Sequence, residues 1–201
     1  MADLIGRPRG GVGRPVVTSH AAIEQAAFGL FSERGFDGTT MEAIAEAVGV
    51  GKRTLFRYFQ SKNDIPWGQF DRTLEDFRRL LAAMPTDVPV WVAVHRGVLG
   101  FNDFPEDADP PHRDRMRLIL STPTLQAHSV LKYAEWRAVI ADYVGRRLAL
   151  PPTALLPRTI GQVSLALALS AYSAWLDDEG ADLRALLDDA MAGLRAYLSA
   201  T

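Results

Sequence analysis

No cysteine occurs among the 201 residues, which excludes disulfides, thiolate chemistry and cysteine-ligated metal together. Histidine is scarce as well. His20, His95, His112 and His128 lie far apart and form no H-x-x-x-H or comparable ligand pair, so no metal site is expected. A strong charge of either sign is missing: the formal net charge is −2, and no global basic field would draw the chain to nucleic acid. The most apolar run, Val163 to Leu176, is shorter than the ~20 residues needed to cross a bilayer. The amino terminus carries Arg and Gly but no apolar stretch before Pro15, so it does not read as a signal peptide, and a cytoplasmic protein without a membrane partner is expected. No Walker loop, nucleophile elbow or triad spacing occurs, which argues against an enzyme, and no motif implies a cofactor.

What is present is helical patterning throughout. No strand alternation and no internal repeat interrupts it, and hydrophobic residues at 48% suffice for a real core. The expected fold is all-α, about nine helices in three stretches. Residues 1–17, rich in Gly, Pro and Arg, read as a disordered basic arm. Residues 18–63 read as a helix-turn-helix unit, and residues 64–201 as a helical ligand-binding and dimerisation domain. Charge follows the same partition. Residues 1–62 hold 8 Lys and Arg against 6 Asp and Glu, whereas residues 63–201 hold 14 against 18. A mildly basic N-terminus on an acidic body fits a DNA-reading end.

The segment Thr39 to Lys62, TTMEAIAEAVGVGKRTLFRYFQSK, carries the most information. Met41, Ile44, Ala45 and Val48 recur at the spacing of one buried helical stripe. Thr39 with Glu42 fits a capping box, and Thr40 is an equally good cap. Gly49 supplies a tight turn, since glycine enters left-handed geometry without steric cost. A second helix, about Lys52 to Phe59, would turn Leu55, Phe56 and Phe59 inward. Arg53, Thr54 and Arg57 would face out, with Lys52 leading and Tyr58 at the flank. A major groove admits one such helix, and arginines four apart could each read a guanine. Thr40, Tyr58 and Lys62, with Thr39 beside them, suit phosphates, which fix register without reading sequence. In the arm, Gly6-Arg7-Pro8-Arg9-Gly10 resembles the core of an AT-hook, so Arg7 and Arg9 are candidates for a narrow minor groove.

The run GFDGTTMEAIAEAVGVGKRTLFRYFQSKND, with Phe31, resembles the DNA-binding domain of the TetR family of one-component regulators over roughly Ser19 to Asp64. The resemblance implies an all-α homodimer, a small-molecule pocket in the C-terminal domain, and ligand binding that releases a DNA operator. It also places the family's base-reading positions at Lys52 to Arg57 and its phosphate contacts at Thr40, Tyr58 and Lys62. Two further stretches, KNDIPWGQFD and RMRLILSTPTLQAHSVLKYAEWRAVIADYV, resemble the subgroup of regulators associated with mycofactocin clusters. Members of that subgroup are described as responding to acyl-CoA thioesters. The expected function is therefore a repressor that binds a palindromic operator and is released by a hydrophobic effector. The alternative is a helical carrier that no longer reads DNA.

The body supplies candidates for the remaining parts. Trp91, His95, Phe101, Met116, Leu120, Tyr133, Trp136, Tyr172 and Trp175 offer apolar surface with polar handles for a pocket, although aromatics at helical spacing are more often core. Arg113 and Arg117, with Lys132, Arg137, Arg146 and Arg147, could line a cationic mouth for an anionic head group; otherwise Arg113 and Arg115 merely solvate a surface near Asp107, Asp109 and Asp114. Gly97 and Gly100 inside the fifth helix would leave room for a ligand or a close neighbour. The eighth helix is apolar on every side, so it should meet its own core and a second subunit, with the ninth beside it in a four-helix interface. A long fourth helix, about Asp64 to Met84, would bend near Pro66 and Gly68, where the reading unit joins the body.

Overall fold

A computed structural model describes residues 18–68, 70–105 and 107–200. The expected arm, with Arg7 and Arg9, lies outside the described residues. Among these residues every regular element is helical: α1 (His20–Gly38), α2 (Met41–Val48), α3 (Lys52–Leu55), a 3₁₀ segment (Lys62–Trp67), α4 (Phe70–Ala82), α5 (Val90–Phe101), α6 (His112–Ser121), α7 (Pro123–Leu148), α8 (Leu155–Asp177) and α9 (Leu183–Ser199).

Two apolar clusters organise the chain. The first joins α1 to α3 through Ile23, Ala27, Phe31, Ile44, Leu55 and Phe59, and it takes in Ile65 and Leu125 from beyond the reading unit. The second is built around α7, whose Trp136, Val139, Ile140 and Val144 meet Phe77 and Leu81 of α4, Val94 and Val98 of α5, and Leu165 and Ala168 of α8. Leu125, fully buried near the start of α7, therefore packs on the reading unit while the rest of α7 forms the body's spine.

Local rules set the boundaries. Ser19 caps α1 by accepting from the Ala22 N–H, and Thr40, rather than Thr39, caps α2 by accepting from Ala43. Gly49 closes α2 in the left-handed region at φ 74°, the turn geometry its sequence position predicts. Pro123 sits at the first position of α7, where a helix needs no N–H donor. The anticipated long fourth helix is in fact two pieces. The 3₁₀ segment, with Pro66 inside it, stops at Gly68 (φ 55°, ψ −128°), and α4 begins afresh at Phe70. Gly97 and Gly100 make room for a neighbour, not a ligand: a Cβ on Gly97 would stand 2.5 Å from Leu81 Cδ2, and one on Gly100 2.5 Å from Leu80 Cδ2. They let α5 close on α4.

Helix α8, 23 residues long, is apolar enough by length and composition to span a bilayer, beyond the shorter run read from sequence. One side of it packs inward through Ser164, Leu165, Ala168, Ala171 and Tyr172. The opposite side leaves Val163, Ala166, Ser170 and Ala174 exposed in the single chain.

Candidate nucleic-acid interface and effector cavity

The α2–α3 pair presents its charges much as its periodicity predicts. Leu55 and Phe59 are buried, while Lys52, Arg53 and Arg57 are exposed. Lys52 forms an ion pair with Glu42 of α2, and that hydrogen bond holds the Glu42 carboxyl below its ordinary value. Helix α3 is shorter than expected, continuing as turns to Tyr58. Phe56 is 41% exposed rather than inward, beside the Lys52 ammonium at 5.7 Å from its ring centre. Thr54 is half-buried on the same segment.

Three candidate phosphate contacts have prior engagements. Thr39 is buried, and its hydroxyl donates inward to the carbonyls of Gly35 at 2.9 Å and Leu30 at 3.2 Å. Lys62 donates to the carbonyls of Phe36 (2.6 Å) and Thr39 (2.8 Å) with its ammonium over the Phe36 ring, so it ties off the end of α1. Tyr58 donates to the Thr18 carbonyl at 2.7 Å and packs edge-on against His20. Thr39 is thereby removed from the outward set, because its side chain is buried and turned inward onto carbonyls of α1. Thr40 remains exposed at the start of α2.

Behind this unit lies a cavity of about 340 Å³. Phe101, Met116, Tyr133, Trp136 and Tyr172 line it, as the sequence suggests. Trp91 and His95 do not. They border a separate groove between α5 and α9, where His95 Nε2 lies 2.9 Å from Asp188 and Arg195 covers the Trp91 ring. Leu120 packs at the core's margin, Arg137 is half-buried with its backbone against Gly161, and Trp175 lies beneath the Arg113 guanidinium, 4.2 Å from its ring centre.

The expected arginine mouth is not assembled. Arg113 donates to the carbonyls of Trp175, Asp178, Glu179 and Ala181 and so closes the C-terminal end of α8, where carbonyls lack helical partners. Arg117 pairs with Asp114 on the surface, Lys132 with Asp71, and Arg147 donates to the carbonyls of Thr86 and Val88. Arg115, by contrast, does not solvate the exterior. Its guanidinium donates to Glu24 at 2.5 Å and to the Pro66 carbonyl at 2.7 Å.

That pairing makes the cavity wall a joint. Ala21 and Glu24 come from α1 of the reading unit, Pro66 to Gly68 from the connector, and His112, Arg115 and Met116 from α6 of the body. A second tie runs from Gln25 to Asp109 at 2.7 Å. On the far wall, Asn102 donates to Val98, the Tyr172 hydroxyl donates to Asn102 Oδ1, and His112 Nε2 stands 2.8 Å from Tyr172. Burial, helped by nearby Arg115, pushes the His112 pKa down to about 3, so this imidazole is neutral; burial also raises the Tyr172 hydroxyl.

Residues 23–65 match the family described as bacterial regulatory proteins of the tetR family, and residues 88–199 match the MftR C-terminal domain. The chain belongs to the TetR family. It is 43% identical over 172 residues, 86% of this chain and 87% of the relative, to the proposed mycofactocin biosynthesis transcriptional regulator MftR of Mycobacterium tuberculosis. It is 30% identical over 181 residues, 85% and 80% of the two chains, to the HTH-type transcriptional regulator TcmR of Streptomyces glaucescens. Solved structures share the fold at lower identity. The fatty acid degradation regulator FadR of Bacillus halodurans superposes with a TM-score of 0.62 at 19% identity, over 86% of this chain and 92% of that one. FadR of Thermus thermophilus, in complex with lauroyl-CoA, gives 0.55 at 20%, over 87% and 92%.

This TetR-family chain is thus a transcriptional regulator rather than an enzyme. Several cavity residues of the regulator escape a sequence reading: Glu24, Trp67, Phe70, Asn102, Phe104 and Leu169. Only Glu24 left a trace. It stands three, four and seven residues before Ala27, Phe28 and Phe31, so the first helix carries a carboxylate on its apolar face. Such a residue demands a cationic partner.

Proposed function

We propose that this regulator is a dimeric repressor that binds a palindromic operator and leaves it when a hydrophobic molecule enters the cavity behind α1. The observation carrying this reading is the shared wall: Glu24 of the reading unit and Arg115 of the body meet at the cavity's edge, with the connector's Pro66 carbonyl on the same guanidinium. A ligand filling that space presses on the joint itself. Arg53 and Arg57 read bases, Thr40 contacts phosphate, and Tyr58 and Lys62 approach the backbone while bracing α1. The arm with Arg7 and Arg9 adds a minor-groove contact.

Similarity to the mycofactocin regulator, and to a FadR bound to lauroyl-CoA, makes a long-chain acyl-CoA the first effector to try. A cavity of about 340 Å³ accommodates the acyl portion, within the ~300–1,000 Å³ usual for small-molecule sites. The protein works in the cytoplasm on this reading. A coupling of ~1–3 kcal/mol between the sites would change operator affinity about 5–150-fold.

A mobility-shift titration on the DNA flanking the regulator's own coding region, with and without a long-chain acyl-CoA, tests the proposal. An inverted repeat should be retained at raised salt and released by the ligand. Arg115→Met should weaken that response while leaving some operator binding. No preference for any inverted repeat over random DNA would end the reading.

A further inference from the structure

The cavity's polar groups fall into two kinds. Most already have partners within the protein. Arg115 is held by Glu24 and the Pro66 carbonyl, Asp109 accepts from Gln25, and Asn102, Tyr172 and His112 form one continuous chain. Two are different. Among the described residues lining the cavity, Trp67 Nε1 and the Tyr133 hydroxyl are buried without a hydrogen-bond partner. Their rings meet edge-on with centres 5.8 Å apart. Indole N–H is a donor only. Burial raises the Tyr133 pKa, opposed more weakly by the neighbouring Ser129 hydroxyl, which itself donates to the Leu125 carbonyl; the Tyr133 hydroxyl therefore stays protonated and can donate too. A buried donor without an acceptor costs free energy that a ligand acceptor would recover.

The charges around the cavity say which acceptor. Glu24 and Asp109 are carboxylates, whereas Arg115, the one guanidinium among the described residues of the wall, is already paired. Among the described residues lining the cavity, a ligand carboxylate would find no unpaired cation, and it would lie next to two like charges. A carbonyl carries the same acceptor oxygen without that charge.

We propose that the cavity selects a neutral carbonyl on an apolar chain, as in an ester, thioester or ketone, whose oxygen accepts from Trp67 Nε1 and the Tyr133 hydroxyl, and that it rejects the corresponding free acid. This rests on reading the cavity as the effector site and narrows the ligand class for it. Trp67 adjoins Gly68 and the Pro66 carbonyl that Arg115 holds, so a ligand gripped by Trp67 grips the connector. Recognition and release would then share one residue.

Equilibrium binding to the full-length protein, read by calorimetry and tryptophan fluorescence, tests this with two matched pairs. Methyl decanoate and decanoate differ in charge; decanoyl-CoA and its thioether S-decyl-CoA differ by the carbonyl. Each first member should bind about ten-fold more tightly than its second at neutral pH. Trp67→Phe and Tyr133→Phe should each narrow the decanoyl-CoA to S-decyl-CoA gap by about three- to ten-fold while leaving S-decyl-CoA affinity unchanged, which also shows that the variant cavity is intact. Equal binding of thioester and thioether by the native protein, or of ester and acid, overturns the selectivity but leaves an effector site standing. Should none of the four bind or alter the operator shift, the effector reading falls with it. If a variant does not fold, the native protein's two pairs still decide.

Discussion

His112 shows how burial, with a cation nearby, assigns a protonation state. Its imidazole stacks on Phe104 at 3.8 Å between centroids and bonds Tyr172, and its folded-state pKa is depressed to about 3. The unfolded chain's imidazole titrates near 6.5. Below that value the unfolded state binds a proton that the folded state refuses. Stability from this group is therefore complete above about pH 6.5 and is lost as pH falls toward about 3, by about 1.4 kcal/mol per pH unit. Between about pH 7.5 and about pH 5.5 the native protein should lose about 1.4 kcal/mol more than His112→Gln in urea melts. Parallel losses in both proteins would mean that this imidazole titrates normally. Tyr172 and Asn102 should hold their hydrogen bond in either case, since neither changes charge in this window.

At the scale of elements, the connector decides whether the two clusters can influence one another. Gly68 has φ 55°, and a Cβ there would stand 3.0 Å from Glu24 Oε2 and 3.2 Å from Arg115 Nη1. Gly68→Ala should cost ~1–3 kcal/mol through the backbone alone, and it should also crowd the ion pair and alter both operator affinity and ligand release. Gly29→Ala is the control. It lies exposed within α1 with nothing near its Cβ position, so it should stabilise by ~0.5–1 kcal/mol without touching the response. Thermal melts and shift assays on both variants separate the outcomes; a Gly68→Ala protein with native stability and release would remove the connector from the mechanism. Much of this architecture is legible in the sequence because helix periodicity and capping are local: α2 and its Gly49 turn lie where those signals put them. The 3₁₀ break is less legible, since Pro66 and Gly68 fit a kinked helix as well as an interrupted one. The cavity is the least legible part. Its membership depends on which faces α1, α4, α6 and α7 turn toward one another, and arginines of identical local appearance, Arg113 and Arg115, end in opposite roles.

At the scale of the whole molecule, α8 presents a surface that one chain leaves uncovered. Ala166, Ser170, Ser173 and Ala174 form an exposed run of small side chains, flanked by Val163. Small residues let two helices approach closely, and α9 lies alongside with Leu186, Met191 and Leu194 half-covered. A second copy related by a two-fold axis would bury both helices in a four-helix interface. It would also set the distance between two α3 segments, for which half-sites one turn apart require ~34–36 Å. Ala166→Arg discriminates this from an ordinary solvent face. On a monomer, an arginine at that exposed site adds a solvated charge and changes stability by within about 0.5 kcal/mol. In a close-packed interface it has no room. The variant should sediment as a monomer with native helix content, and it should lose operator affinity by more than about ten-fold, because each half-site is then bound alone. A dimer that survives Ala166→Arg would move the subunit contact off the centre of α8 and release α3 from the spacing that contact imposes.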